Sequence, residues 1–344
     1  MDWLKLTALS TLQAHYRLSL QAHYRLNWLT TGSRLTLSQA WHSLGMLTIE
    51  QKAVNENTGH NRSSAFFWIL SRHGVVDGDG MRHQPRKRFG QNFLRDEGVI
   101  DDIEREIAPT DSDHVVEIGP GEGALTQALI SSGCRLDAIE LDRNLITPLL
   151  ATFSIHPRFT LHSADALSFD FGALASACHT LRIVGNLPYN ISTPLIIRLL
   201  KERALIKDMH FMLQLEVVER LAAKPGGKSW GRLGVLAQLH CQVEKLFEVP
   251  PQAFYPPPKV QSAVVRMTPW PEPPHPGLDE NALARIVTRA FAQRRKTLRN
   301  NFKGMLSDTD FEALGIRPDA RAETLKIEDF VAITELTHAR PTNA

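Results

Sequence analysis

His114-Val115-Val116-Glu117-Ile118-Gly119-Pro120-Gly121-Glu122-Gly123 runs directly into Ala124-Leu125-Thr126-Gln127-Ala128-Leu129-Ile130. The first five residues form a short apolar run, the next five a glycine turn, and the rest a helical pattern. Strand, glycine turn and helix are the opening unit of a doubly wound α/β sheet, in which backbone comes close to a cofactor at the carboxyl end of the strand. Dinucleotide enzymes use a related turn spaced G-x-G-x-x-G. The spacing here is G-x-G-x-G, which leans toward S-adenosylmethionine. A second strand candidate, Arg135-Leu136-Asp137-Ala138-Ile139, ends at Glu140, where a carboxylate can accept hydrogen bonds from ribose hydroxyls. Both NAD and S-adenosylmethionine carry such hydroxyls, so Glu140 alone does not separate them. Asp165 follows a third apolar run, Phe159-Thr160-Leu161, and is placed to accept from an adenine amine.

A fourth run, Leu181-Arg182-Ile183-Val184-Gly185, delivers Asn186-Leu187-Pro188-Tyr189 to a strand end. An exocyclic adenine amine is a poor nucleophile because its lone pair is delocalised into the ring. A site that methylates it needs acceptors aimed at the amine hydrogens and a flat surface for the extruded base. Asn186 supplies a side-chain carbonyl, Pro188 fixes a turn that can point a backbone carbonyl inward, and Tyr189 offers an aromatic face. Asn and Pro are also common in ordinary strand-ending turns. Four strand ends in order, each carrying a suitable polar group, argue for the functional reading.

Lys87-Arg88-Phe89-Gly90-Gln91-Asn92-Phe93-Leu94, Val116-Glu117-Ile118-Gly119-Pro120-Gly121, Glu140-Leu141-Asp142, Gly185-Asn186-Leu187-Pro188-Tyr189-Asn190 and Phe254-Tyr255-Pro256-Pro257-Pro258-Lys259-Val260 together resemble the rRNA adenine N6-dimethyltransferases, above all the bacterial small-subunit (16S) type. The resemblance runs from about Arg86 to about Leu336. It implies a class I, Rossmann-like S-adenosylmethionine methyltransferase domain with a smaller all-helical C-terminal domain. It also implies an enzyme that dimethylates two adjacent adenosines near the 3′ end of small-subunit rRNA in ribosome biogenesis. By the same likeness Asn92, Leu94, Gly119, Glu140, Asp165 and Asn186 contact S-adenosylmethionine, and Gly121 joins them as part of the glycine turn. Asn186 and the Pro188 carbonyl accept the amine hydrogens, Tyr189 stacks on the flipped base, and Phe254 clamps its other face. A sulfonium methyl is already activated, so no metal is expected. Two positions depart from the family pattern. Leu215 stands where a basic residue is usual, and Gln261 where Asp is usual, which puts RNA affinity in question.

A DNA adenine methyltransferase would usually carry N-P-P-Y or D-P-P-Y, and a dinucleotide oxidoreductase has no need of Asn186 through Tyr189. Two further readings compete. One is a nucleic-acid-binding factor of the same fold with minor catalysis; the intact Glu140, Asp165 and Asn186-to-Tyr189 tetrad argue against it. The other is a large-subunit rRNA adenine methyltransferase, which the proline-linked C-terminal unit disfavours.

Composition sets bounds. A chain of 344 residues accommodates a main domain plus smaller units, and 43% hydrophobic with 22% charged residues is ordinary for a globular protein. The net charge of +2 means that any nucleic-acid footprint is local. Cys134, Cys178 and Cys241 show neither a disulfide framework nor zinc spacing, which fits buried thiols in a reducing, cytoplasmic setting. No apolar stretch is long enough for a membrane span.

Residues 1–80 look foreign to the rest. Leu12-Gln13-Ala14-His15-Tyr16-Arg17-Leu18 recurs as Leu20-Gln21-Ala22-His23-Tyr24-Arg25-Leu26, and no Asp or Glu lies between Trp3 and Ile49. The composition fits a transit peptide; the favoured reading is a poorly structured, dispensable extension, with Met81 as the natural start. The methyltransferase domain is then expected over 81–267, a proline-rich linker over 268–277, and a helical RNA-binding domain over 278–344. In that last unit Val287, Phe291, Leu298 and Phe302 make one apolar stripe, interrupted near Gln293-Arg294-Arg295-Lys296. Arg285, Arg289, Arg295, Lys296, Arg299 and Lys303 are the expected phosphate contacts there, with almost no acids between. Arg86, Lys87 and Arg88, and the Lys224–Arg232 loop with Trp230 at its tip, extend the track. A monomer acting on rRNA within an assembling ribosomal subunit is the expected working form.

Overall fold

The computed structural model describes residues 91–175 and 180–339. The expectations placed on residues 1–80, on Arg86-Lys87-Arg88 and on Cys178 lie outside these residues.

Five parallel strands form the middle of the fold: β2 (His114–Ile118), β3 (Arg135–Glu140), β4 (Phe159–Ser163), β5 (Leu181–Asn186) and β6 (Ile206–Gln214). β1 is the short Phe93–Leu94 strand that precedes them, and β7 (Cys241–Val249), β8 (Phe254–Tyr255) and β9 (Ser262–Pro269) follow. The large sheet has the order β4-β3-β2-β5-β6-β9-β7. β9 is antiparallel to both β6 and β7. All five residues of β2 are buried, as expected of a parallel strand covered on both faces. β1 pairs separately with β8, antiparallel, matching Phe93 with Tyr255 and Leu94 with Phe254.

Helices cover both faces. α1 (Glu97–Ile107) and α2 (Ala124–Ser131) bury Ile103, Ile107, Leu125 and Leu129 against Val115, Leu136, Val184 and Met212. α3 (Arg143–Phe153) packs Leu145, Leu149 and Phe153 on Phe93. On the other face α4 (Ser192–Lys201) and α5 (Leu215–Leu221) bury Leu195, Leu199, Val217 and Val218 against Ile118, Ile183, Phe211 and Val265. Caps set the starts: Asp96 accepts from Val99 N–H, and Asp142 from Asn144 N–H. Cys134 and Cys241 are buried free thiols.

The expected helical C-terminal region is present, built from α7 (Glu280–Ala290), α8 (Leu298–Asn301), α9 (Asp308–Ala313) and α10 (Ile327–His338), with α6 (Arg232–His240) preceding β7. The apolar stripe does break, between α7 and α8, and its members converge: Val287, Leu298 and Phe302 are fully buried, while Phe291 packs on Phe330 with ring centres 5.9 Å apart. The same cluster takes in Trp230, Val235 and Leu239. Trp230, expected at the tip of a mobile basic loop, is instead fully buried, and its indole N–H donates to Leu325 O at 2.9 Å. Its neighbours are tied down as well, through Gly226 N–H to Glu323 O at 2.7 Å and the Arg294 guanidinium on Lys228 O. Burying an aromatic ring is worth about 2–3 kcal/mol, which explains why this loop is folded onto the helices.

Candidate active site

The chain runs from β2 outward to β3 and β4, then returns to lay β5 on the other side of β2. Ligands of doubly wound sheets bind where the strand order reverses, outside the carboxyl ends. The main pocket lies there. Its lining includes Gly119 and Gly121 after β2, Glu140 after β3, Asp165 after β4, and Asn186, Pro188 and Tyr189 after β5. Asn92 and Leu94 of the N-terminal segment complete it. Nine of the residues singled out from the sequence are thus brought to one cleft by the topology.

The glycine turn is held open by its backbone. Gly121 has φ 60, a left-handed conformation disfavoured for other residues, and a Cβ there would come 3.0 Å from the Phe93 ring. Its N–H donates to Glu140 Oε2 at 3.3 Å, and Glu140 Oε1 accepts from Asp142 N–H at 2.7 Å. Burial raises the Glu140 carboxyl, against these backbone bonds, which lower it. Each carboxylate oxygen retains lone-pair capacity for a further donor. Asp142 in turn accepts from the Gln91 amide at 3.0 Å, and Asp165 Oδ1 accepts from Leu167 N–H at 2.9 Å.

Asn186 closes β5. Its amide nitrogen donates to Asn92 O at 2.9 Å, which fixes the amide plane and makes Oδ1 its acceptor end. Tyr189 is half-buried and its hydroxyl shares a 2.9 Å hydrogen bond with Ser262 on β9, so the ring is anchored from its far end. The turn is set against β2 at its closest point: a Cβ on Gly185 would lie 2.4 Å from Ile118 O.

Phe254 goes elsewhere. It is 4% exposed and packs in the core behind Leu94, Ile103 and Val264, which are part of the pocket wall, without itself reaching the lining. Strand alternation in β8 turns Phe254 inward and leaves Tyr255 outward, half exposed, with the Arg95 guanidinium 4.4 Å from its ring centre. Arg95 also pairs with Glu122 of the glycine turn at 3.0 Å.

Glu117, Asp142 and His210 are among the polar residues of the pocket that sequence reasoning did not single out. Glu117 is buried within the glycine motif itself; burial pushes its carboxyl up to about 7, although Thr126 donates to it at 2.6 Å. Its signal was a charged residue inside a fully apolar strand. Asp142 was visible only as part of a family motif. His210 lies in mid-strand on β6 and lines the pocket.

The basic track is altered by the fold. Arg289 donates to Asn301 O and Lys303 O, both at 2.9 Å, so it pins α7 to the chain beyond α8. Arg299 pairs with Asp308 at 2.6 Å. Arg285, Arg295, Lys296 and Lys303 are exposed. The two family departures are neighbours, Leu215 N–H donating to Gln261 O at 2.9 Å beside Glu216 and Glu219.

Several known proteins are similar to this chain. Ribosomal RNA small subunit methyltransferase A of Pseudomonas aeruginosa is 56% identical over 262 residues, spanning 76% of this chain and 98% of that protein. The protein of the same name from Chromohalobacter salexigens is 58% identical over 255 residues, spanning 73% of this chain and 90% of its own. Among solved structures, a dimethyladenosine transferase from Plasmodium falciparum aligns with a TM-score of 0.61 at 25% identity, over 70% of this chain and 95% of that one. The 23S rRNA methyltransferase ErmE aligns with a TM-score of 0.58 at 25% identity, over 72% of this chain and all of that one. With the profile of ribosomal RNA adenine dimethylases matching residues 82–338, this chain belongs to the ribosomal RNA adenine dimethylase family.

Proposed function

We propose that this enzyme transfers methyl groups to the N6 amines of two adjacent adenosines near the 3′ end of small-subunit (16S) rRNA, forming dimethyladenosines. The observation that carries the reading is the Asn186-to-Tyr189 turn at the end of β5, facing the glycine turn and Glu140 across one pocket. The names of the relatives support the small-subunit target. S-adenosylmethionine is the methyl donor, and the pocket fits it: a buried carboxylate for hydroxyls, a glycine turn in which a Cβ on Gly121 would meet the Phe93 ring, and Asp165 at the next strand end. When bound, it supplies a methyl already activated on a sulfonium.

The chain's own residues orient and polarise. Asn186 Oδ1 and the Pro188 carbonyl accept the two amine hydrogens and draw the N6 lone pair out of conjugation with the ring. Tyr189, fixed by Ser262, provides the stacking face. Holding the target amine in one orientation beside the donor's pocket supplies effective molarity worth several kcal/mol. Gly119, Gly121, Glu140 and Asp165, with Asn92 and Leu94, hold the donor. Arg285, Arg295, Lys296 and Lys303 contact phosphate from the domain expected over 278–344, with the domain expected over 81–267 carrying the chemistry. The enzyme acts as a monomer in the cytoplasm, on rRNA within an assembling subunit; among the described residues no helix is long and apolar enough to cross a membrane.

Mass mapping of dimethyladenosine in both rRNAs from cells lacking this gene tests the reading. Loss of two adjacent dimethyladenosines from small-subunit rRNA is expected. Loss from large-subunit rRNA instead would assign the other target.

A further inference from the structure

The pocket extends past the reacting groups. From Asn186 its lining descends the sheet through Met212, the register partner of Asn186, to His210, the partner of Val184, with Val264 beside Met212. Ile103 and Leu125 form the opposite wall. His210 is 3% exposed, and neither ring nitrogen has a hydrogen-bond partner. Nδ1 lies 3.6 Å from Asp208 Oδ1, an ion-pair distance if the ring is charged. Asp208 is itself gripped by Arg182 Nε at 3.0 and 3.1 Å. An unpaired polar group buried in this way costs about 1–3 kcal/mol, so its retention calls for a use.

The chemistry supplies one. Each transfer forms an N6–methyl bond as the methyl–sulfur bond breaks, which leaves sulfur neutral and N6 positive; N6 must then shed one hydrogen as a proton. A second transfer needs the restored lone pair. Asn186 Oδ1 and Pro188 O are amide carbonyls and cannot hold that proton near neutrality. The titratable groups of the pocket are mostly engaged: Glu122 by Arg95, Glu140 by Gly121 and Asp142 N–H, Asp142 by Gln91, Asp165 by Leu167 N–H, Glu117 by Thr126, and Tyr189 by Ser262. Among the described residues of the lining, His210 is the titratable group with no hydrogen bond.

We propose that His210 Nε2 takes up the proton that N6 sheds at each methyl transfer, with Asp208, 3.6 Å from Nδ1, favouring the Nδ1–H tautomer and countering the imidazolium. The proton leaves to solvent before the next transfer. The arrangement of a base backed by a carboxylate is that of a general-base pair. The charged groups around the ring are Asp208 and Arg182 beneath it, Arg266 on β9 as its register partner, Glu106 of α1 and Glu244 of β7 bound to Arg266, and Glu117, two strands away in the same row through Val184. Arg266 is neutralised by its two acids, which leaves Asp208 as the carboxylate nearest the ring.

The proposal rests on N6 dimethylation as the reaction, and two independent measurements test it. Nitrogen-15 NMR of the full chain reads the ring without any turnover: an Nδ1–H neutral tautomer is expected at His210, and an Nε2–H tautomer overturns the proposal. Single-turnover methylation of undermethylated small subunits is then followed between about pH 5 and 8, the range in which imidazole changes charge. The wild-type rate is expected to fall on the acid side through one ionisation. His210→Gln should slow transfer by about 10²-fold, at the lower end for general-base catalysis, and abolish that acid limb. It should also raise the ratio of mono- to dimethyladenosine while calorimetry gives unchanged S-adenosylmethionine affinity. An acid limb and product ratio unchanged in the variant would overturn the proposal, as would an acid limb that disappears only in Glu117→Gln. Should His210→Gln fail to fold by circular dichroism, His210→Asn replaces it, and a flat wild-type profile is by itself sufficient to refute. Absence of any dimethyladenosine with wild type would refute the assigned reaction instead, with the tautomer still reading the His210–Asp208 pair.

Discussion

Replacing Glu117 by Gln is expected to stabilise the ligand-free protein at neutral and alkaline pH and to leave it nearly unchanged in acid. The Glu117 side chain is buried between β2 and α2, with Thr126 as its donor at 2.6 Å. Burial lifts its carboxyl from 4.5 to about 7, with the charge of Glu140 adding to the rise. Between those two values the folded protein binds more protons than the unfolded chain, so this group's contribution weakens as pH rises across the window. Below about pH 4.5 the contribution is fully present; above about pH 7 the whole cost of burying the charge is felt. At about 1.4 kcal/mol per tenfold step, that cost comes to about 3 kcal/mol. Gln keeps an oxygen for Thr126 and carries no charge. Urea unfolding of both proteins from pH 4.5 to 8.5, without S-adenosylmethionine, should give stabilities that converge in acid and separate by up to about 3 kcal/mol above pH 7. A difference independent of pH, or a Gln variant less stable at pH 8, would show that Glu117 is not a raised, buried acid.

Glu140→Ala removes the acceptors assigned to the ribose and should weaken S-adenosylmethionine binding by about 1.5–3 kcal/mol, read by calorimetry. Gly185→Ala sets a Cβ 2.4 Å from Ile118 O, so β2 and β5 must part where Gly119 and Asn186 meet; a loss of about 1–3 kcal/mol in stability and a larger proportional loss of methyl transfer are expected. Neutralising Arg285, Arg295, Lys296 and Lys303 together should flatten the dependence of log RNA affinity on log salt, by roughly 0.9 for each duplex phosphate that no longer meets a cation. Arg289→Ala should instead lower stability by about 0.5–1.5 kcal/mol, because its hydrogen bonds to Asn301 O and Lys303 O are lost, and leave that slope unchanged.

The strand ends were legible because a parallel strand is an apolar run with its polar residue at the carboxyl end; Gly119, Glu140, Asp165 and Asn186 each follow such a run. What escaped depended on partners distant in the chain. Phe254 and Tyr255 are adjacent aromatics, and which one faces inward is decided by the pairing of β8 with β1, about 160 residues earlier. Trp230 read as a loop tip because its partner, Leu325 O, belongs to the helical region. Helical periodicity placed Arg289 on the outer side of its helix but could not show that the chain beyond α8 returns carbonyls to it. His210 stands between Met209 and Phe211 in a strand of ordinary core character, and only the pocket distinguishes it.

The central claim is that the Asn186 carboxamide, oriented by Asn92 O, polarises the target amine. Single-turnover methyl transfer by Asn186→Ala to undermethylated small subunits tests it most directly. The account predicts a rate lower by about 10²–10³-fold, the effect of removing one preorganised polarising group, with RNA affinity nearly unchanged. A variant that binds RNA normally and methylates N6 at the wild-type rate would contradict it.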